Sequence, residues 1–198
     1  YANNGEACLV GARILVEESI ADPFRARFTH AARALKVGDP RAPGVAIGPM
    51  ISSAHRDRVA GFYDPANGTT LFGGEPHGPG HFITPGAVEV TSTACSLWRE
   101  EVFGPVVAFK TFADEAEAIA LANDSDHGLA GYVWTQHLGR ALRVAKGVRT
   151  GSMMVNTAFQ RELNAPFGGY KTSGVGREGG RHSWSNYTES KTTVIAYG

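Results

Sequence analysis

Cysteine is scarce in this chain. Only Cys8 and Cys95 occur in 198 residues, too few for the disulfide framework of a small secreted domain. An excess of one charge is missing as well: 19 Lys and Arg balance 19 Asp and Glu, scattered rather than clustered. That excludes the basic patch a nucleic-acid backbone requires. No apolar run approaches a membrane span, and no repeat or low-complexity stretch is present. These absences predict a soluble protein of a reducing, cytoplasmic setting, with no nucleic-acid, membrane or metal partner.

What the chain does hold is a regular exchange of short β-branched runs with helical patterns. Residues 11–16, 69–72, 81–84, 87–90, 106–112, 129–135 and 152–156 read as strands. Ser19 or Asp22, followed by Pro23, signals the start of one helix, with Phe24, Phe28, Ala31 and Leu35 facing inward. A second follows Ser52 or Ser53, with Val59, Phe62 and Tyr63 inward and His55, Arg56 and Arg58 outward. Asp114 caps a third over 115–123, and a fourth covers 138–146. This alternation predicts an α/β domain with a largely parallel sheet flanked by helices. Six glycines in residues 167–180 are too many for a regular element and mark backbone passing close to a ligand or another chain. The run at 191–196 predicts a C-terminal β arm with no partner of its own.

Asn3-Asn4-Gly5-Glu6-Ala7-Cys8 is a polar, glycine-containing turn that ends in a thiol. A cysteine serves as a nucleophile only where the backbone is open to a substrate and something favours the thiolate. The turn supplies openness but no cation, and a lone intracellular thiol is more often a small buried hydrophobe. Cys95 reads as structural.

Four stretches, in order and in spacing, resemble the aldehyde dehydrogenase superfamily. They are Gly5-Glu6-Ala7-Cys8, Glu100-Glu101-Val102-Phe103-Gly104-Pro105-Val106, the passage from Leu121-Ala122-Asn123 to Gly128-Leu129-Ala130, and Pro166-Phe167-Gly168-Gly169 through Gly176-Arg177-Glu178. The likeness covers that family's C-terminal half, with residues 1–183 as the catalytic domain and 184–198 as an arm that helps build a homo-oligomer. It implies that Cys8 is the nucleophile and that Glu101 and Phe103 meet the ribose and ring of NAD or NADP. It also implies that His55 lies near the cofactor. The plainer readings are a solvated charge pair ahead of a strand for Glu100-Glu101 and a surface histidine for His55.

At Gln160-Arg161-Glu162-Leu163-Asn164 the chain departs from members that oxidise plain aldehydes, which carry an aromatic in the substrate funnel there, with Phe167 nearby. Arginine matches a carboxylate bidentately, and the stretch is similar to the branch acting on muconate-type semialdehydes. The resemblance therefore implies a small aldehyde that also bears a carboxylate; the alternative is an internal pairing of Arg161 with Glu162 or Glu178. Tyr1 is not an initiator methionine and only seven residues precede Cys8. The dinucleotide-binding domain, the general base and the amide completing the oxyanion hole are thus expected outside this chain. Alone, it is expected to bind dinucleotide weakly and to show negligible dehydrogenase activity. Two rival functions stay open: a cofactor-independent thiol esterase, and a non-catalytic assembly module docking through 191–196 and the glycine-rich loop.

Overall fold

A computed structural model describes residues 1–160 and 162–198. By internal contacts the chain divides into two compact units, Tyr1–Ser125 and Asp126–Gly198. The first holds, in order, β1 (Arg13–Glu17), α1 (Ala21–Arg33), β2 (Lys36–Val37), β3 (Val45–Ile47), α2 (Ser53–Gly61), β4 (Gly68–Phe72), β5 (Gly86–Val90), α3 (Ser96–Arg99), β6 (Val106–Phe112) and α4 (Glu115–Asn123). Its main sheet runs β1-β6-β5-β4, with β6 parallel to both neighbours and β4 as an antiparallel edge.

Strand β6 shows why the sheet forms. Its first four residues are all buried, and the period of two sends them to opposite faces. Val106 and Ala108 join Met50, Val59, Phe62, Val88 and Trp98 on one side. Val107 and Phe109 face the other, where Ala21, Ala32 and the Phe24 and Phe28 rings of α1 lie. Asp114 caps α4 as its sequence predicts, accepting a hydrogen bond from Glu117 N–H at 2.9 Å.

The inward stripe of α1 differs from expectation. Ala21 and Ala32 are its buried residues, while Ala31 is exposed and Phe24 sits at the rim. Arg25 occupies the same face, its guanidinium 5.3 Å from the Phe109 ring centroid and paired with Asp22 and Glu89 at 2.7 Å each. A charged residue on the packed face masks the periodicity. Residues 81–84 likewise form only an isolated bridge, Pro76 with Ile83, although Ile83 is fully buried.

In the second unit β7 (Ala130–Val133), α5 (Leu138–Gly147) and β8 (Ser152–Val155) form a parallel β-α-β element, followed later by the short α6 (Trp184–Tyr187). The glycine-rich stretch closes on the unit's own backbone. Phe167 and Glu178 exchange backbone hydrogen bonds of 2.6 and 2.8 Å, and a Cβ on Gly151 would stand 1.6 Å from the Gly168 oxygen. Here the close approach is to the chain itself. The tail at 188–198 is exposed and carries no assigned strand, so the expected β arm is not formed among the described residues. A lone strand has no ladder to join. Among the described residues, no helix is long and apolar enough to cross a membrane, and no three metal-ligating side chains gather.

Asn67 ties the first unit together from a buried position. Its Oδ1 accepts from Ser96 Oγ at 2.9 Å and Leu97 N–H at 3.1 Å, and its Nδ2 donates to Phe62 O at 3.2 Å. Asn67→Ala leaves those groups unpaired and is expected to lower stability by about 2–4 kcal/mol, read as a reduced urea midpoint at constant slope. A loss below half a kilocalorie would show that the site is hydrated instead.

Candidate active site

Parallel pairing of β1 with β6 fixes where the chemistry-bearing residues lie. The register sets Arg13 opposite Ala108, so Cys8 and Phe103 each stand five residues ahead of a paired position. Parallel neighbours bring their lead-in segments to the same end of the sheet. The turn bearing the thiol and the loop bearing Glu101 and Phe103 are thereby brought together.

The thiol turn depends on left-handed backbone. Asn3, Asn4 and Gly5 have φ of 52°, 59° and 73°, a region Asn and Gly enter readily. Asn3 Nδ2 donates to Glu6 O at 2.9 Å, and Asn4 Oδ1 accepts from Gly48 N–H at 2.8 Å. Gly5 is buried against Gly104, whose oxygen would lie 2.2 Å from any Cβ at position 5. Beyond this anchor Cys8 is exposed, and its N–H takes no hydrogen-bond partner among the described residues.

The facing loop alternates in burial: Glu101 and Phe103 are exposed, Val102 and Gly104 buried. Val102 is only 3% exposed in the core, while the carboxylate and the aromatic ring on either side of it stay exposed. Side chains from elsewhere hold the loop's carbonyls. Arg13 donates from Nε to Trp98 O at 2.7 Å and reaches Glu100 O at 3.4 Å. Arg58 donates to Val102 O, and His55 Nε2 lies 2.8 Å from Phe103 O and 3.3 Å from Glu6 Oε1. His55 is therefore turned onto the loop, not outward, because α2 lies beside it, while Arg58 stays exposed as expected and still reaches Val102 O. Burial lowers the pKa of Arg13, Arg99 lowers it further, and the Glu101 carboxylate opposes them.

Residues 1–193 match the Aldehyde dehydrogenase family. A 2-hydroxymuconic semialdehyde dehydrogenase of Pseudomonas putida is 41% identical over 98% of this chain and 42% of its own length. A betaine aldehyde dehydrogenase of Cereibacter sphaeroides is 40% identical over all of this chain and 42% of its own. The crystal structure of a Mycobacterium tuberculosis aldehyde dehydrogenase complexed with NAD+ superposes with a TM-score of 0.92 at 36% identity, again over all of this chain and 42% of that one. The chain belongs to the aldehyde dehydrogenase family. It spans about two fifths of the length of these relatives.

Within this aldehyde dehydrogenase chain, the sequence-predicted Cys8, His55, Glu101 and Phe103 all fall in the first unit at the end of the sheet described above. Phe167 belongs to the second unit, half-buried in the glycine-rich stretch; Arg161 lies outside the described residues. Glu6, Arg13 and Arg58 hold the site together but had no role assignable from the sequence. Glu6 carried a signal, a carboxylate two residues before the thiol, but its partner His55 is 49 positions away and only the fold reveals it.

Gly5→Ala is expected to disturb the thiol turn twice, through φ and through the Gly104 contact. It should cost about 2 kcal/mol or more of stability and about tenfold in kcat. Gly11→Ala, with nothing within 4 Å of its Cβ, should leave both unchanged. Equal behaviour of the two variants in thermal melts and initial rates would refute this anatomy.

Proposed function

We propose that the chain is the catalytic portion of an enzyme that oxidises an aldehyde to an acid, with Cys8 as covalent nucleophile. The supporting observation is the exposed thiol at the same sheet end as the exposed Glu101 and Phe103. Cys8 as thiolate adds to the aldehyde carbon, converting a planar carbonyl into a tetrahedral alkoxide able to release hydride. The free N–H of Cys8 is available to the developing oxyanion, a donor typically worth about 3 kcal/mol. Loss of hydride leaves a thioester on Cys8, which water hydrolyses to the acid, freeing the thiol.

The exposed residues fit a nicotinamide dinucleotide: Glu101 offers a carboxylate to ribose hydroxyls and Phe103 an open ring, 40% exposed, to a flat heterocycle. NAD or NADP, when bound, supplies the hydride acceptor. His55 belongs to the same cofactor side. The dinucleotide fold, the general base and the second oxyanion donor are assigned to sequence beyond this chain.

On the substrate side we place Phe167 and Arg161, the latter pairing with a carboxylate at the far end of a semialdehyde. Identity is nearly equal to a semialdehyde dehydrogenase and a betaine aldehyde dehydrogenase, so this reading is carried by Arg161 in its place ahead of Pro166. Residues 1–183 then form the catalytic domain and 184–198 an arm that joins copies into a homo-oligomer. The 70–90% exposure of Trp184, Tyr187, Val194 and Tyr197 supports that arm. The two free cysteines suit a reducing, cytoplasmic setting.

Two measurements test these assignments. Cys8→Ser should lower kcat by about three orders of magnitude or more, whereas Cys95→Ser should not; comparable losses would remove Cys8 from the mechanism. Arg161→Leu should raise KM for a carboxylate-bearing semialdehyde about 10- to 100-fold and leave a neutral aldehyde nearly unaffected. An equal effect on both substrates would count against the carboxylate contact.

A further inference from the structure

The geometry points to His55, braced by Glu6, as the residue that positions Phe103 for hydride transfer, acting through the Phe103 carbonyl. This inference rests on the proposed aldehyde oxidation and names a working part within it.

Phe103 has φ of 55°. Asn or Gly accepts that region; a bulky aromatic occupies it only when its surroundings over-determine it. Three constraints do so. Val102 is buried on one side. Gly104 on the other fits so tightly that a Cβ would lie 2.5 Å from Val59 Cγ2. Arg58 and His55 take the carbonyls of Val102 and Phe103. The His55 bond acts on the peptide of the ring-bearing residue itself, so it most directly sets where the exposed ring stands.

His55 is itself fixed at both ends. Its backbone N–H donates to the α2 cap, Ser52 Oγ, at 3.1 Å. Its ring Nε2 meets two acceptors, Phe103 O at 2.8 Å and Glu6 Oε1 at 3.3 Å, which requires the proton on Nε2 and shares that one N–H between them, while Glu6 Oε2 accepts from Asn4 Nδ2 at 3.3 Å. The His55 and Glu6 side chains are only 17% and 19% exposed, so water competes little for this contact. Asn4, Glu6 and Cys8 share one turn. A single imidazole therefore links the turn that holds the substrate carbon to the ring that holds the hydride acceptor, and the Glu6–His55–Phe103 chain sets their separation. A misplacement of about 1 Å at such a junction costs up to about a hundredfold in rate.

The test uses the full-length protein with propanal, protiated or deuterated at C1, and compares His55→Ala, His55→Gln and Glu6→Gln. His55→Ala should slow single-turnover hydride transfer about 10- to 100-fold and enlarge the primary isotope effect. Acylation of Cys8 by p-nitrophenyl acetate, which needs no hydride transfer, should fall far less. His55→Gln keeps an N–H donor and should recover most of the rate; Glu6→Gln should fall between. An unchanged hydride step, a parallel loss of acylation, or a Gln variant no better than Ala overturns the inference. Amide hydrogen exchange supplies a readout independent of turnover: the Phe103 and Gly104 amides should exchange faster in His55→Ala and recover in His55→Gln. Unaltered exchange overturns the inference. If the unaltered protein oxidises no aldehyde but the exchange response appears, the proposed function fails and the His55 clamp on Phe103 stands.

Discussion

The parallel pairing of β1 with β6 is the constraint on which the rest depends. A register with Arg13 opposite Ala108 leaves two lead-in segments side by side, one carrying a thiol, the other a carboxylate and an aromatic ring. In open α/β sheets, ligand crevices usually form outside the carboxyl ends of the strands. Here the chemistry-bearing residues lie ahead of the amino ends, so the approach segments had to become rigid without the support of a strand. Left-handed Asn3 and Asn4, the contact of Gly5 with Gly104, and the carbonyl clamps of Arg13, Arg58 and His55 provide that rigidity.

The core serves the same end. Val102 is drawn into the cluster of Val59, Trp98 and Val106, and burying a side chain of its size contributes about 1.5–2 kcal/mol. That burial anchors the loop on which Glu101 and Phe103 stay exposed, Phe103 in left-handed backbone. Packing and presentation are thus coupled: the hydrophobic anchor at residue 102 holds the loop that exposes the polar and aromatic groups on either side.

The sequence was most legible where structure is local. The β-branched run of β6, the Asp114 cap of α4 and the motifs around Cys8 and Glu101 were all readable because propensity, capping and motif spacing are properties of neighbouring residues. It was least legible where a distant partner decides. Arg25 on the packed face of α1 broke the apolar stripe because its partner Glu89 lies 64 residues away. The glycines of 167–180 announced a close approach without saying that the partner was the unit's own backbone at Gly151. His55 read as outward because its acceptor, Phe103 O, is 48 positions further on.

The central claim is that Cys8 carries the substrate as a covalent acyl group between hydride loss and hydrolysis. Its most direct test is rapid acid quenching of the full-length protein during turnover, followed by peptide mass spectrometry. The account predicts an acyl adduct on the peptide containing Cys8 only when aldehyde and oxidised cofactor are both present. Acid accumulating with no adduct on Cys8 at any quench time, or with the adduct on Cys95, would contradict it.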